Sequence, residues 1–236
     1  MKKPAKLFLL PTPLGEDVIH TIPKYVIDII HQLDVFVVER AKTARRFLKA
    51  IDFPKAYDDC LFFELNKRTQ AHEIVSFLDP IKEGRSIGLL SEAGVPAVAD
   101  PGSQLVLHAH RKNIEVVPLV GPSSILLALM ASGMNGQSFS FKGYLSPKRP
   151  ILAKELKKME SISARQKETQ IFIETPYRNT AFFETALQVL SPSTLFCVAT
   201  DISLPTQSVV TKRISKWKKG DKPELHKRPT VFLLLG

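Results

Sequence analysis

Cysteine is scarce in this chain: Cys60 and Cys197 are the only two among 236 residues. Both sit beside apolar neighbours, so they read as reduced thiols in or near a core, and neither a disulfide framework nor a zinc site is expected. Long apolar runs are also lacking. The longest, residues 7–10 and 231–235, fall well short of the roughly 20 residues that span a bilayer, so no membrane partner is expected. The basic start Met1-Lys2-Lys3-Pro4 leads into an apolar run interrupted by Pro11 and Pro13. It lacks the extended apolar region of a secretion signal, and the expected location is cytoplasmic. Several chemical signatures are missing as well. There is no glycine-rich dinucleotide turn after the first apolar segment, no phosphate loop ending in Gly-Lys-Ser/Thr and no His-Glu-x-x-His. His108 and His110, two apart on one helix, point to different faces and make a poor metal pair. No metal is expected, and no Ser-His-Asp arrangement is visible.

What is present is positive charge. The formal net charge is +10, with 33 Lys and Arg against 23 Asp and Glu. Such a balance favours a polyanionic partner or an anionic substrate. The denser patches lie at Lys148-Arg149, at 154–158 and at 212–222; taken singly, each also fits a solvated face. Apolar residues make up 44% of the chain, too many for a disordered segment and enough for a sizeable core.

The apolar pattern alternates between strand and helix. Residues 6–10, 34–38, 61–63, 86–90 and 115–118 read as short buried strands. Between them, 22–32 and 70–78 carry helical apolar spacing, 43–50 reads as a short basic helix and a further helix runs through about 110, with Pro23 suited to the first turn of its helix. This is the pattern of a mostly parallel sheet covered by helices. A further apolar helix is expected over 125–131, stopped by Gly133. The second half reads as strands 139–144, 169–173, 194–199, 207–211 and 230–235, with helices over 151–159 and 180–190, and suits a mixed sheet. A shift in composition places the domain boundary after Pro118, giving 1–118 and 119–236.

Three loops follow expected strands, where open α/β sheets bind ligands. They are Pro11-Thr12-Pro13-Leu14-Gly15, then Ser91 to Pro96 continuing to Asp100-Pro101-Gly102, and Gly121-Pro122-Ser123-Ser124. Glycine permits tight turns and close approach to a ligand, while serine hydroxyls and free amides can hold polar groups. Any one such loop also fits ordinary turn chemistry.

These segments carry a resemblance. Leu7-Phe8-Leu9-Leu10-Pro11-Thr12-Pro13-Leu14-Gly15 is similar to the opening strand and Thr-Pro-Ile-Gly loop of the tetrapyrrole methylase superfamily. Leu89-Leu90-Ser91-Glu92-Ala93-Gly94-Val95-Pro96 with Ala99-Asp100-Pro101-Gly102 resembles its Ser-Asp-Ala-Gly-Thr-Pro and Ser-Asp-Pro-Gly motif. Val117-Pro118-Leu119-Val120-Gly121-Pro122-Ser123-Ser124 resembles its Gly-Pro-Ser turn. Phe141-Lys142-Gly143-Tyr144-Leu145 matches Phe-x-Gly-Phe-Leu, and Ile173-Glu174-Thr175-Pro176-Tyr177-Arg178 matches Tyr-Glu-Ser-Pro-His-Arg. Within the superfamily the likeness is to the bacterial small-subunit ribosomal RNA cytidine 2′-O-methyltransferases, and it runs in order over nearly the whole chain.

The resemblance implies a two-domain α/β fold, with a mostly parallel N-terminal sheet and a mixed C-terminal sheet, in a homodimer. It implies S-adenosylmethionine as cofactor, folded into the cleft between domains. Carried over by position, the holders are Pro11, Glu92, Ala93, Gly94, Val95, Pro96, Ser123, Ser124, Tyr144, Leu145, Thr175, Pro176, Pro229 and Thr230. It implies methyl transfer to a ribose hydroxyl of RNA in the small ribosomal subunit. Glu39, Glu92 and Asp100, in strand-end loops, are the candidates to accept or orient the hydroxyl proton; Asp100 equally suits a turn cap before Pro101-Gly102. Arg40, Lys42, Arg45, Arg46, Lys148, Arg149 and Arg178 are the candidate RNA contacts.

The chain departs from the family pattern at points that bear on the acceptor. Where the family reads Glu-Asp-Thr-Arg-His-Thr-Arg, this chain has Glu39-Arg40-Ala41-Lys42-Thr43-Ala44-Arg45. The His-Glu-His-Asn stretch appears as Phe63-Glu64-Leu65-Asn66, Glu16 stands where Asn usually follows the first Gly, and the tail is shorter. Two other readings therefore stay open. One is a methyltransferase for a tetrapyrrole or other small molecule, and the other a non-catalytic binding protein that keeps the cofactor fold.

Overall fold

The computed structural model describes residues 4–236, which divide after Ser123 into two compact units. The division lies a short way beyond the boundary after Pro118 expected from composition. In the first unit the elements run β1 (Leu7–Leu10), α1 (Lys24–Ile30), β2 (Val35–Val38), α2 (Ala41–Ala50), β3 (Leu61–Glu64), α3 (Ala71–Ser76), β4 (Ile87–Leu90), α4 (Gly102–Arg111) and β5 (Val116–Pro118). The strands form one five-stranded sheet in the order β3-β2-β4-β1-β5, every pairing parallel.

Parallel strands need crossover helices on the sheet faces, so the central strands must be apolar on both sides. β2 shows this directly: Val35 and Val37 pack with Ile74, Leu105 and Ala109 on one face. Phe36 and Val38 pack with Val26, Ile30 and Leu48 on the other. The four residues of β2 are all buried, which is why its sequence is a continuous apolar run rather than an alternating one. Gly88 leaves the space that Leu10 and Leu33 fill, since a Cβ there would lie 2.5 Å from Leu10 Cδ1.

The second unit contains α5 (Ser124–Ser132), β6 (Phe139–Tyr144), α6 (Arg149–Gln166), β7 (Thr169–Ile173), α7 (Asn179–Val189), β8 (Leu195–Thr200), β9 (Ser208–Arg213), α8 (Ile214–Trp217) and β10 (Thr230–Leu235). Its sheet has the order β6-β7-β10-β8-β9. Only β6 and β7 run parallel; the other neighbours are antiparallel. The core on one face is aromatic: Phe172, Phe182, Phe183, Phe196, Trp217 and Phe232 form a single cluster with Leu152 and Leu156 of α6. Helix α5 packs on β8, β9 and β10.

Three local details differ from the sequence reading. Pro23 is the N-cap of α1 rather than part of its first turn. Helix α6 extends through Gln166, well beyond residue 159. Near its end Ser163, fully buried, donates from Oγ to the Glu168 carbonyl at 2.7 Å. The helix stops at Lys167 in the left-handed region, φ 52°, where no glycine announces the end. The short α8 was hidden in the basic run; it is held by Trp217, whose Nε1 donates to the Phe196 carbonyl at 2.8 Å. Both cysteines are free and buried, and burial pushes the Cys197 thiol up to about 11. Among the described residues no helix is long and apolar enough to cross a membrane.

Candidate functional site

Strands β1, β2 and β4 are parallel neighbours, so their carboxyl ends reach one edge of the first sheet together. The three loops singled out in the sequence knit together beside that edge. Thr12 and Gly94 exchange backbone hydrogen bonds of 2.9 and 3.0 Å, an antiparallel bridge between the first loop and the second. Ser91 Oγ donates to the Gly94 carbonyl at 2.8 Å. Gly94 has φ +79°, and a Cβ there would meet Leu14 Cδ2 at 3.1 Å and the Pro122 carbonyl oxygen at 3.3 Å. Both the backbone angle and the close packing call for glycine. Gly121 in the third loop abuts Pro11, since a Cβ would lie 2.2 Å from Pro11 Cβ.

The second loop also carries two left-handed alanines, Ala97 (φ 65°) and Ala99 (φ 63°), a conformation that costs energy without glycine. Asp100 holds it. Its Oδ1 accepts from the amides of Ala97 at 2.9 Å and Gly102 at 2.8 Å. These bonds favour the charged carboxylate, but burial outweighs them and raises the Asp100 pKa.

A cavity of about 720 Å³ opens at this edge, a volume in the range of small-ligand sites. Leu14, Val18, Ile19, Val38, Phe47 and Leu90 give it apolar lining; Glu16, Glu39, Arg40, Arg46 and Glu92 give it charge. Thr43, Phe47 and Ala50 of α2 reach it with helical spacing, a stripe the sequence reading passed over while attending to the charges between them. That helix starts at Arg40 without a side-chain cap of its own. Glu64, at the end of the neighbouring strand β3, supplies the missing acceptor through Oε1 to the Ala41 amide at 2.8 Å. A carboxylate at a helix N-terminus is favourable.

The three candidate carboxylates come together here. Glu39, half-buried at the end of β2, has its pKa raised, first by burial and then by the negative charges of Asp100 and Glu92. The Glu92 backbone amide and the Arg40 charge pull the other way. Glu92 is exposed and lines the cavity.

The other expected site residues separate into holders and surface groups. In the first unit Ala93 lines the cavity, while Pro11, Gly94 and Pro96 are buried and Val95 is half-buried. Ser123 and Ser124 are both half-buried. In the second unit the pairing of β6, β7 and β10 brings Tyr144, Thr175-Pro176 and Pro229-Thr230 to one sheet edge. Tyr144 and Pro229 are exposed and Thr175 and Pro176 half-buried. Leu145 belongs to the aromatic core, so it has backbone rather than side chain to offer. Buried Thr230 donates to the Arg228 carbonyl at 3.0 Å.

Arg40, Lys42, Arg45 and Arg46 are exposed on and beside α2. Arg45 lies 5.2 Å from the Phe62 ring centroid, and Arg46 pairs with Glu16 at 2.9 Å. Lys148 and Arg149 are exposed at the start of α6, with Arg149 donating to Gln188. Arg178 is committed to buried Glu174, donating from Nε at 3.0 Å. Among the described residues no group of His, Cys, Asp and Glu is arranged to hold a metal ion.

Comparison with known proteins gives this geometry a context. The chain is 30% identical over 184 residues to "Ribosomal RNA small subunit methyltransferase I" of Vibrio cholerae, covering 78% of this chain and 60% of that protein. It is 33% identical over 172 residues to the protein of the same name from Bacillus subtilis, covering 73% of this chain and 55% of that one. The chain thus matches little more than half the length of these relatives. The Buchnera aphidicola protein of that name is 24% identical, with 100% of this chain and 80% of that one covered. Among solved structures, the methyltransferase CobJ superposes with a TM-score of 0.64 at 18% identity, covering 98% of this chain and 94% of that one. The cobalt precorrin-4 methyltransferase CbiF does so with 0.61 at 15%, covering 98% and 94%; both likenesses speak for the fold. The model of the tetrapyrrole (corrin/porphyrin) methylases matches residues 20–217, a span that takes in the carboxylate cluster, the α2 side of the cavity and most of the second sheet, and the chain belongs to that family.

Proposed function

We propose that this protein is an S-adenosylmethionine-dependent methyltransferase acting on a ribose 2′-hydroxyl of a cytidine in small-subunit ribosomal RNA. Family membership and the relatives of that name support the activity. The observation that carries the mechanism is that Glu39 and Glu92 line one cavity, with Asp100 close enough to act on Glu39 by its charge. Cytoplasmic location and a homodimer belong to the same reading.

The residues suit such a cofactor. Ala93 is small and lines the cavity, the Thr12–Gly94 bridge stiffens the loop behind it, and the edge of the second sheet offers Thr175, Pro176 and Thr230. Strand-end loops are the proposed holders, largely through backbone groups. Once bound, S-adenosylmethionine supplies an electrophilic methyl group on a sulfonium. Glu39 is the proposed base. Its raised pKa makes its carboxylate a better acceptor for the ribose hydroxyl proton than an ordinary glutamate. Asp100, with Oδ1 committed to two amides, positions the loop that carries Glu92. The apolar lining from Leu14 to Leu90 offers water few hydrogen-bond partners. Arg40, Lys42, Arg45 and Arg46 offer charge to the phosphate backbone.

The apolar part of the cavity supports a second reading, a small-molecule acceptor. One experiment separates the two: labelled S-adenosylmethionine offered to small ribosomal subunits from a strain lacking the gene, and in parallel to a metabolite extract. A single ribose-methylated cytidine supports the RNA reading. Label only in a small molecule replaces it.

A further inference from the structure

The second unit carries a surface feature that neither the carboxylate cluster nor the cavity uses. Tyr177, in the loop between β7 and α7, is 72% exposed, an unusual placement for a large aromatic ring held in so constrained a loop. His226 stands edge-on to it with centroids 6.2 Å apart and planes at 77°, and Lys227 Nζ lies 6.0 Å from the Tyr177 ring centroid. His226 and Lys227 are themselves exposed.

The platform is built rather than accidental. On the side of Tyr177, buried Glu174 accepts from the Thr175 amide at 2.6 Å and from Arg178, which pins the loop at both flanks. The two segments are tied twice. The Lys227 amide donates to the Pro176 carbonyl at 3.1 Å, and Asn179 Nδ2 donates to the Arg228 carbonyl at 2.7 Å. On the other side, Leu225 is buried in the aromatic core. Arg228 is locked to buried Asp201 at 2.8 Å, and Lys227 holds a left-handed backbone at φ 60°. These anchors fix the backbone that carries the ring, the imidazole and the ammonium before any ligand arrives, so ordering of the main chain does not oppose binding.

We propose that Tyr177, flanked by His226 and Lys227, is a stacking platform for one unpaired base of an RNA strand. An exposed aromatic ring beside an ammonium is the chemistry that takes up unstacked bases, and its energy depends little on which base is offered. The adjacent ammonium suits the neighbouring phosphate, and the chain's net charge of +10 has the sign that a polyanion requires. The inference rests on the RNA reading above and adds to it a contact remote in sequence from Glu39 and α2.

The test uses the full chain and an end-labelled, unstructured RNA oligonucleotide, with affinity read by fluorescence anisotropy and stacking by the emission of a 2-aminopurine placed in the strand. Tyr177→Ala is expected to weaken binding about 10-fold and to restore 2-aminopurine emission, with an unchanged melting temperature. Tyr177→Phe is expected to keep both affinity and quenching, because stacking needs the ring and not the hydroxyl. Lys227→Gln is expected to reduce the salt dependence of binding while leaving the quenching in place. If the wild-type protein binds RNA and Tyr177→Ala binds it equally well, the platform is refuted and the RNA reading survives. If the wild-type protein binds no RNA, both fall together.

Discussion

The two units treat the acids at their strand ends in opposite ways. In the second, Glu174 is paired with Arg178 and Asp201 with Arg228. Each of these acids accepts further hydrogen bonds, from the Thr175 amide and from Thr206 Oγ1 respectively. In the first, Glu39 sits within reach of two more carboxylates, and among the described residues it has no ion pair. An acid clamped by arginine holds a loop in place; its charge is spent. An acid raised in pKa by burial and by like charge has reactivity to offer and a stability cost to go with it. Both edges store backbone strain, at Ala97 and Ala99 in one and at Asp201, Ser203 and Lys227 in the other. The difference lies in whether the charge beside the strain is neutralised.

The largest expected effect that tests this contrast is on Glu39. Glu39→Gln should lower methyl transfer at saturating cofactor by about 100- to 10,000-fold if the residue takes the proton. It should also raise the melting temperature at pH 7. The sign follows from linkage: a raised carboxylate pKa means that stability present below the unfolded value, 4.5, is lost as pH climbs through the folded value. The gain in Glu39→Gln should therefore disappear below about pH 4, as melting curves across pH will show. An unchanged rate would take Glu39 out of the mechanism.

Next comes the clamped acid. Asp201→Ala leaves the mostly buried Arg228 without its counter-charge, holding only the Glu224 and Thr206 carbonyls, and unfolding in urea should show a loss of about 3 kcal/mol. Restoring stability with a second, apolar replacement at Arg228 would sharpen the comparison. A loss as small at Asp201 as at an exposed residue would break it.

Asp100 lies between these cases, and two substitutions divide its roles. Asp100→Ala strands the Ala97 and Gly102 amides and should cost about 1–3 kcal/mol. Asp100→Asn keeps an acceptor for both amides and should fold nearly as well as the wild type. If Asp100→Asn nonetheless loses most of its transfer rate at full stability, the negative charge matters beyond holding the loop.

The smallest effect belongs to the exposed Arg46–Glu16 pair beside the cavity, whose side chains are 69% and 78% accessible. Glu16→Gln should change stability by less than about 1 kcal/mol, an effect that moderate salt abolishes. A larger and salt-resistant change would mean that the pair is shielded when the protein works.

Much of this arrangement was legible in local sequence because local interactions set it. The continuous apolar run of β2, the helical pattern in α1 and α4, and the turn glycine at Gly94 each state their own conformation. What escaped lacked a local marker. Helix α6 ends on a lysine rather than a glycine, and α2 borrows its cap from Glu64. Tyr177 and His226 meet across a stretch of chain that no spacing rule connects.

The sequence by itself determined the alternation of strand and helix, the places where loops would follow strands, and the family likeness those loops carry. Only the tertiary structure decided the strand order β3-β2-β4-β1-β5. That order seats the strand of Glu39 beside the strand that leads to Glu92, and the electrostatic coupling follows from their adjacency. Periodicity records what each residue does to its own helix or strand. Which strand lies next to which depends on burying two faces of a sheet at once, and that is settled among residues distant along the chain.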